Sequence, residues 1–280
     1  MQSCQVGPTC GRGPWRDGRR GNVRRRAISF GLEAPLTLVL IHGGGTTARF
    51  WDRLIPLLGE EVLAVNLPGR ADRSADLATL SVDDEVESVV GDIRSEATDG
   101  PITLVAHSSG GLVVPGVVGA LGNRVGSIVL NAALVPPEGG CGIDCMKVRH
   151  REGLLIAVAA AKEAGRAVTL PGSPPDPESF RHVYGGDPLD DETLAFVVDP
   201  VRCVEDTVHH YFQAVSWSHV AGIPITYVLT EHDRPVAPRT QEEMVLRLPP
   251  PVTVIRIRSG HLLPVTDPSL FADILARTPA

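Results

Sequence analysis

Three residues far apart in this 280-residue chain have the types needed for nucleophilic acyl transfer: a serine, an aspartate and a histidine. Ser108 lies in Ala106-His107-Ser108-Ser109-Gly110, after the apolar run Ile102–Ala106 and before a helix-forming stretch from Leu112 to Leu121. A serine on a tight strand-to-helix turn, with small residues two before and two after it, is held above a sheet as a nucleophile. Ala106 stands where that motif usually has glycine, and it is small enough to let the two backbones approach. Ser109 is the competing nucleophile, but it would put bulky His107 at the small position. Asp233 follows the strand-like run Ile223–Thr230 and is the expected orienting acid, with Glu231 as the fallback. His261 follows the alternating run Val252–Ile257 and is the expected general base. The chain order Ser, Asp, His distinguishes one triad-bearing architecture from others that use the same groups.

Acyl transfer builds negative charge on a carbonyl oxygen, which preorganised backbone N–H groups can stabilise. A buried-strand pattern, Leu36–Ile41, runs directly into His42-Gly43-Gly44-Gly45. Alone, that segment reads as an ordinary turn before a helix at Phe50–Leu58. Beside Ser108 it reads as an oxyanion loop, with the N–H groups of Gly44 and Ser109 as the donors.

These residues need a scaffold that brings their loops to one end. Strand patterns at 36–41, 61–66, 101–106, 126–132, 224–230 and 252–257 alternate with helical stretches. That rhythm predicts an α/β fold: a mostly parallel sheet with helices on both faces. Ser81 and the acidic residues after it predict the start of a helix over 82–98, and a last helix is expected at Asp267–Ala276. Pro115 falls within the helical stretch after Ser108 and is expected to remove one backbone hydrogen bond there. The strand rhythm stops between 136 and 220, where helices are expected at 153–168, 177–184, 191–197 and 204–216. This predicts an all-helical cap (136–220) inserted into a core of 30–135 and 221–280. The cap's aromatic residues, Trp217 among them, are candidates for lining a pocket.

The chain resembles the α/β-hydrolases. More narrowly, it is similar to the small carboxylesterase branch that includes plant methyl esterases, hydroxynitrile lyases and bacterial pyrethroid-type esterases. The likeness is carried by Leu38–Gly43, Trp51 with Pro56-Leu57-Leu58, Leu67-Pro68-Gly69, Leu104–Leu112, Asn131–Gly139, Tyr227–Gln241 and Ser259–Leu263. It implies Ser108 as nucleophile, His261 as base and Asp233 as third member, and a serine carboxylesterase acting on a small to medium ester. The lyases of this branch carry threonine and lysine where this chain has Gly43 and Leu262, so the resemblance implies hydrolysis, with these two residues beside substrate. Thioester, lactone or carbon–carbon bond cleavage by the same triad, or a non-catalytic ligand-binding role, are the alternatives. The chain departs from the family at Asn66, often aspartate, and at Arg70-Ala71-Asp72, usually a glycine-containing turn.

A hydrophobic fraction of 43% suits a chain with a sizeable core. No apolar run reaches the roughly 18 residues of a membrane span, and the N-terminus lacks a secretory apolar stretch; a cytoplasmic setting is the expectation. Residues 1–29 hold seven arginines against one aspartate, a net of +6, in a chain of −7 overall. They read as a basic, disordered arm, and the acidic remainder argues against a nucleic-acid substrate. No cofactor or metal is expected; His209 and His210 are adjacent, and neighbouring side chains on a helix do not face one another. Cys141 and Cys145 are expected to be free thiols. The expected partner is a small ester, bound by a monomer or homodimer away from membranes.

Overall fold

The computed structural model describes residues 22–25, 36–164, 169–170 and 176–278. Among them, seven strands form one sheet in the order β1-β3-β2-β4-β5-β8-β9. These are β1 (Val23–Arg25), β2 (Thr37–Ile41), β3 (Glu61–Val65), β4 (Ile102–His107), β5 (Val125–Asn131), β8 (Ile225–Thr230) and β9 (Val252–Ile257). All pairs are parallel except β1 with β3. The crossovers are α1 (Val82–Glu96) and α2 (Val114–Leu121), with α6 (Pro238–Val245) between the last two strands and α7 (Leu263–Thr266) and α8 (Pro268–Ala276) closing the chain.

Side chains alternate across a strand, so each inner strand feeds two cores. Val39, Ile41, Leu104 and Ala106 join Val89, Ile93 and Val117 on one face. Leu38, Leu40 and Val105 join Trp51 and Phe271 on the other. Strands this apolar on both sides are the pattern of a covered parallel sheet. The chain leaves β2 toward β3 on one side and later enters β4 on the other. The crevice at that reversal, outside the carboxyl ends of the strands, is where such sheets bind ligands.

Several local expectations change. Val23–Arg25, assigned from sequence to the basic arm, pairs with β3 as an edge strand; apart from Asn22, the rest of that arm lies outside the described residues. The Phe50–Leu58 helix is instead two short 3₁₀ turns, Ala48–Trp51 and Ile55–Leu57. Pro115 sits in the first turn of α2, where its missing N–H is one that no helical carbonyl needs. Helix α1 begins as expected, with Ser81 and Asp84 exchanging hydrogen bonds as a capping box.

The insertion between β5 and β8 contains α3 (Val148–Glu163), α4 (Pro177–Val183) and α5 (Asp191–Val198). It is not all helical. Two residues each from β6 (Thr169–Leu170) and β7 (Asp206–Thr207) form a small antiparallel ladder, followed by a 3₁₀ turn at His209–Phe212. The helix expected over 204–216 is therefore absent, because Asp206 and Thr207 are drawn into buried contacts with the core. Cys141 and Cys145 are unbridged thiols, and burial pushes Cys145 up to about 12, as expected of a structural cysteine. Among the described residues no helix is long and apolar enough to cross a membrane.

Candidate active site

Ser108 follows β4 directly and has φ +52°, a left-handed conformation that is strained for an L-residue. The tight turn is enforced from below. A Cβ on Gly110 would lie 2.6 Å from the His42 carbonyl oxygen, so only glycine lets the turn settle onto the end of β2. Ala106 is fully buried between Ile41 and Leu130 on the flanking strands, a site with room for little more than a methyl group. The Ser108 carbonyl is fixed by the N–H of Leu134 at 2.8 Å.

Asp233 and His261 meet although they lie on successive strand ends. The His261 Nδ1 to Asp233 Oδ2 distance is 2.7 Å, and both side chains are buried. Asp233 is itself held from four sides. Its Oδ1 accepts from the Val236 N–H at 2.7 Å, and its Oδ2 accepts from Thr230 Oγ1 at 2.9 Å and Gln241 Nε2 at 3.3 Å. Glu231, the fallback acid, instead faces Arg256 at 4.0 Å. Burial pulls the His261 pKa down, but the charge and hydrogen bond of Asp233 outweigh it, and the net displacement is upward. Nδ1 is thus occupied as a donor to the carboxylate, which leaves Nε2 as the nitrogen available to take a proton.

Ser108, His261 and Gly44 line one narrow cleft. Its cavity volume is about 30 Å³, room for roughly two waters. Phe50, Phe180, Tyr184 and Phe196 supply aromatic walls, and Leu262 completes the wall beside His261. Arg202 also reaches this cleft, but its charge is engaged by Asp52 at 2.8 Å and Asp199 at 3.3 Å, and its guanidinium lies 3.8 Å over the Phe196 ring. Gly43 lies beneath the nucleophile turn, where a Cβ would come 2.8 Å from Ser108 Cβ. Trp217, expected to line the pocket, does not. Its ring is buried in the core on the α1–α2 side, because the chain at that point has already turned down toward β8.

Two more histidines stand close by, and both are neutral supports. His42 Nε2 accepts from the Leu67 N–H at 3.2 Å, so Nδ1 carries the hydrogen donated to the Gly43 carbonyl at 2.9 Å. Burial and Arg70 lower its pKa to about 3. His107 donates Nε2–H to the His261 carbonyl at 3.0 Å and stacks on Phe50 at 4.7 Å; burial and neighbouring His261 hold its pKa well below the ordinary imidazole value.

Sequence reading missed the group that secures the glycine loop after β2. Asp206, from the insertion, accepts from the Gly45 N–H at 2.8 Å and the Thr207 N–H at 2.7 Å, and it pairs directly with Arg70. Arg70 also faces Glu85 at 3.5 Å, and Glu85 faces His210 at 3.2 Å. All four side chains are at most 1% exposed. Tyr211 joins this floor: a Cβ on Gly44 would lie 2.9 Å from its hydroxyl and 3.0 Å from Asp206 Oδ2. The signal available in the sequence was the departure at Arg70. Asn66, the other departure, accepts from the Ala48 N–H at 2.7 Å, a task that needs no charge.

Residues 38–274 match the model of the alpha/beta hydrolase family. An esterase of Mycobacterium tuberculosis, Rv0045c, is 33% identical over 105 residues, which make up 37% of this chain and 35% of that protein. The match therefore spans about a third of the relative's length. An extracellular alpha/beta-hydrolase from a Paenibacillus species, described as homologous to tobacco salicylic acid binding protein 2, superposes with a TM-score of 0.73 at 20% identity, covering 88% of this chain and 99% of that one. A pyrethroid hydrolase from Sphingobium faniae gives 0.69 at 19% identity, covering 86% and 96%.

Proposed function

Since the chain belongs to the alpha/beta hydrolase family, we propose that it is a serine carboxylesterase acting on a small to medium ester through an acyl-enzyme on Ser108. The observation that carries this reading is the buried 2.7 Å contact between His261 and Asp233 at the wall of the cleft that Ser108 also lines. The esterase relative in Mycobacterium tuberculosis supports the same reaction class.

In the first half-reaction Nε2 of His261 takes the Ser108 proton as the hydroxyl oxygen attacks the ester carbonyl. Asp233 keeps Nδ1 protonated and stabilises the imidazolium that forms. The carbonyl oxygen becomes an oxyanion, received by the N–H groups of Gly44 and Ser109, and loss of one such donor reduces turnover by about 10²–10³. The imidazolium then protonates the departing alcohol. In the second half-reaction water attacks the acyl-enzyme with His261 again as base, releasing the acid.

The cleft's aromatic walls favour an acyl group with a flat or apolar body. Gly43 and Leu262 leave no cation beside His261 to receive a departing cyanide, which favours hydrolysis over the lyase reaction. Labelling with a fluorophosphonate, together with burst kinetics on a p-nitrophenyl ester series from acetate to palmitate, tests the reading. Wild type is expected to label and to show a burst; Ser108→Ala is expected to lose both and Ser109→Ala to keep a measurable burst. An unlabelled wild type refutes the enzyme reading, and labelling that survives in Ser108→Ala moves the nucleophile.

A further inference from the structure

The acid and base stand on separate loops, after β8 and after β9, and a turn of the insertion is wedged against both. That turn is Gly185-Gly186-Asp187, at the end of α4. On the acid side, Arg234 Nη1 donates to the His182 carbonyl at 3.2 Å, and a Cβ on Gly186 would overlap the carbonyl oxygen of His232. On the base side, Asp187 Oδ1 accepts from the Leu262 N–H at 3.0 Å. Its carboxyl packs so closely on Gly260 that a Cβ there would overlap it, and would come 2.6 Å from the Gly186 carbonyl carbon. The Asp187 carboxylate therefore touches the residues immediately before and after His261. Its own backbone is fixed by a hydrogen bond from its N–H to the Tyr184 carbonyl at 3.0 Å, and the Tyr184 ring lies 5.8 Å from the His261 ring.

We propose that Asp187 is a positioning residue for His261, locking the histidine loop against the acid loop and presenting a second carboxylate to the imidazole. Such a brace answers a problem of geometry. The Asp233–His261 contact joins two loops that otherwise depend on separate strands, and misplacement of a catalytic group by about 1 Å reduces rate by about 10²-fold. The charge adds a second effect. Burial pushes Asp187 up to about 7, with His261 and the Leu262 N–H pulling the other way. His261 and Asp233 face the carboxylate from the catalytic side. His232, Arg258 and Asp267 line the cavity of about 410 Å³ that Asp187 borders on its other side.

Asp187→Asn keeps the side chain's shape and removes its charge. The His261 pKa, read by NMR, is expected to fall by about one pH unit, the low end of what a nearby opposite charge produces. The acid limb of kcat/KM is expected to move down equally, with kcat reduced about 10–100-fold and KM changed by less than about twofold. Gly186→Ala, which pushes the turn off the acid loop, is expected to lower kcat similarly while the chain remains folded by circular dichroism. A folded Asp187→Asn variant with the wild-type imidazole pKa and acid limb overturns the proposal. Should that variant not fold, Gly186→Ala decides: a lowered kcat with an altered imidazole pKa supports the brace, and a folded Gly186→Ala variant with wild-type kcat and imidazole pKa overturns it. The inference rests on His261 being the base, yet the NMR readout needs no substrate. A chain without esterase activity whose imidazole still responds to Asp187→Asn therefore sinks the esterase reading and not the brace.

Discussion

Replacing Asp206 by asparagine removes one charge from a buried cluster. Arg70 and His210 face Asp206 and Glu85, and none of the four is more than 1% exposed. For His210, burial acts downward, but Glu85, its hydrogen bond and Asp206 outweigh it and keep the ring's pKa raised. After the substitution Arg70 and the His210 ring are left with Glu85 as their one carboxylate in the cluster. Removing one partner of a buried pair costs about 3–5 kcal/mol because the other charge is left uncompensated. The low end, about 3 kcal/mol, applies here, since the asparagine oxygen can still accept from Gly45 and His210 can release its proton. Against a total stability of about 5–15 kcal/mol, that loss is large. With a urea slope of about 3 kcal/mol/M, the unfolding midpoint is expected to fall by about 1 M, followed by the fluorescence of the buried Trp51 and Trp217. The oxyanion loop loses its rigid anchor as well, so turnover is expected to drop by up to about 10²-fold. A double variant, Arg70→Met with Asp206→Leu, removes the charge pair together and is expected to recover most of the lost stability. A single-variant loss below about 1 kcal/mol, or a double variant no more stable than the single, would refute this reasoning.

Two pH dependences follow from the same groups. His261 acts as a base only when neutral and its pKa is raised, so kcat/KM should rise with pH to a half-maximum above 6.5. In Asp233→Asn the main upward influence is lost and only the Asp187 charge still opposes burial, so the acid limb should move to lower pH while kcat falls by about 10⁴; a limb that stays in place argues against Asp233 as the partner. The stabilities of the Glu85–His210 and Asp233–His261 pairs depend on pH with a definite sign. Folding raises both imidazole pKa values, so both contributions are complete below about 6.5 and are lost as pH rises through the folded-state values. The wild-type midpoint also carries the opposite trend of His42 and His107, whose pKa values folding lowers, so the difference in urea midpoint between wild type and His210→Gln is the readout. It is expected to shrink from pH 6 to 9, and a difference that grows contradicts the assignment.

The chain order and local patterns determine a great deal here. Strand-like runs ending at Ile41, Ala106, Thr230 and Ile257 deliver the glycine loop, Ser108, Asp233 and His261 to the carboxyl ends of the strands of a parallel sheet, and each signal is local: apolar runs, small residues around a turn, a polar loop behind a strand. The same locality explains the failures. Pro115 looked disruptive because periodicity does not mark a helix's first turn, and Trp217 looked like pocket lining because hydrophobicity alone does not tell a cleft from a core. Asp206 and Asp187 carried no local signal, and Arg70 only a departure from the family pattern, for a deeper reason. Arg70 and Asp206 stand 136 positions apart, and Asp187 meets the residue after His261 across 75. A charged side chain reads as solvated surface until folding strips its water and supplies an opposite charge or an N–H. Residue order thus points to Ser108, Asp233 and His261, while the insertion's close packing onto the core determines what holds the glycine loop and the histidine in place, because only burial makes those distant charges strong enough to do so.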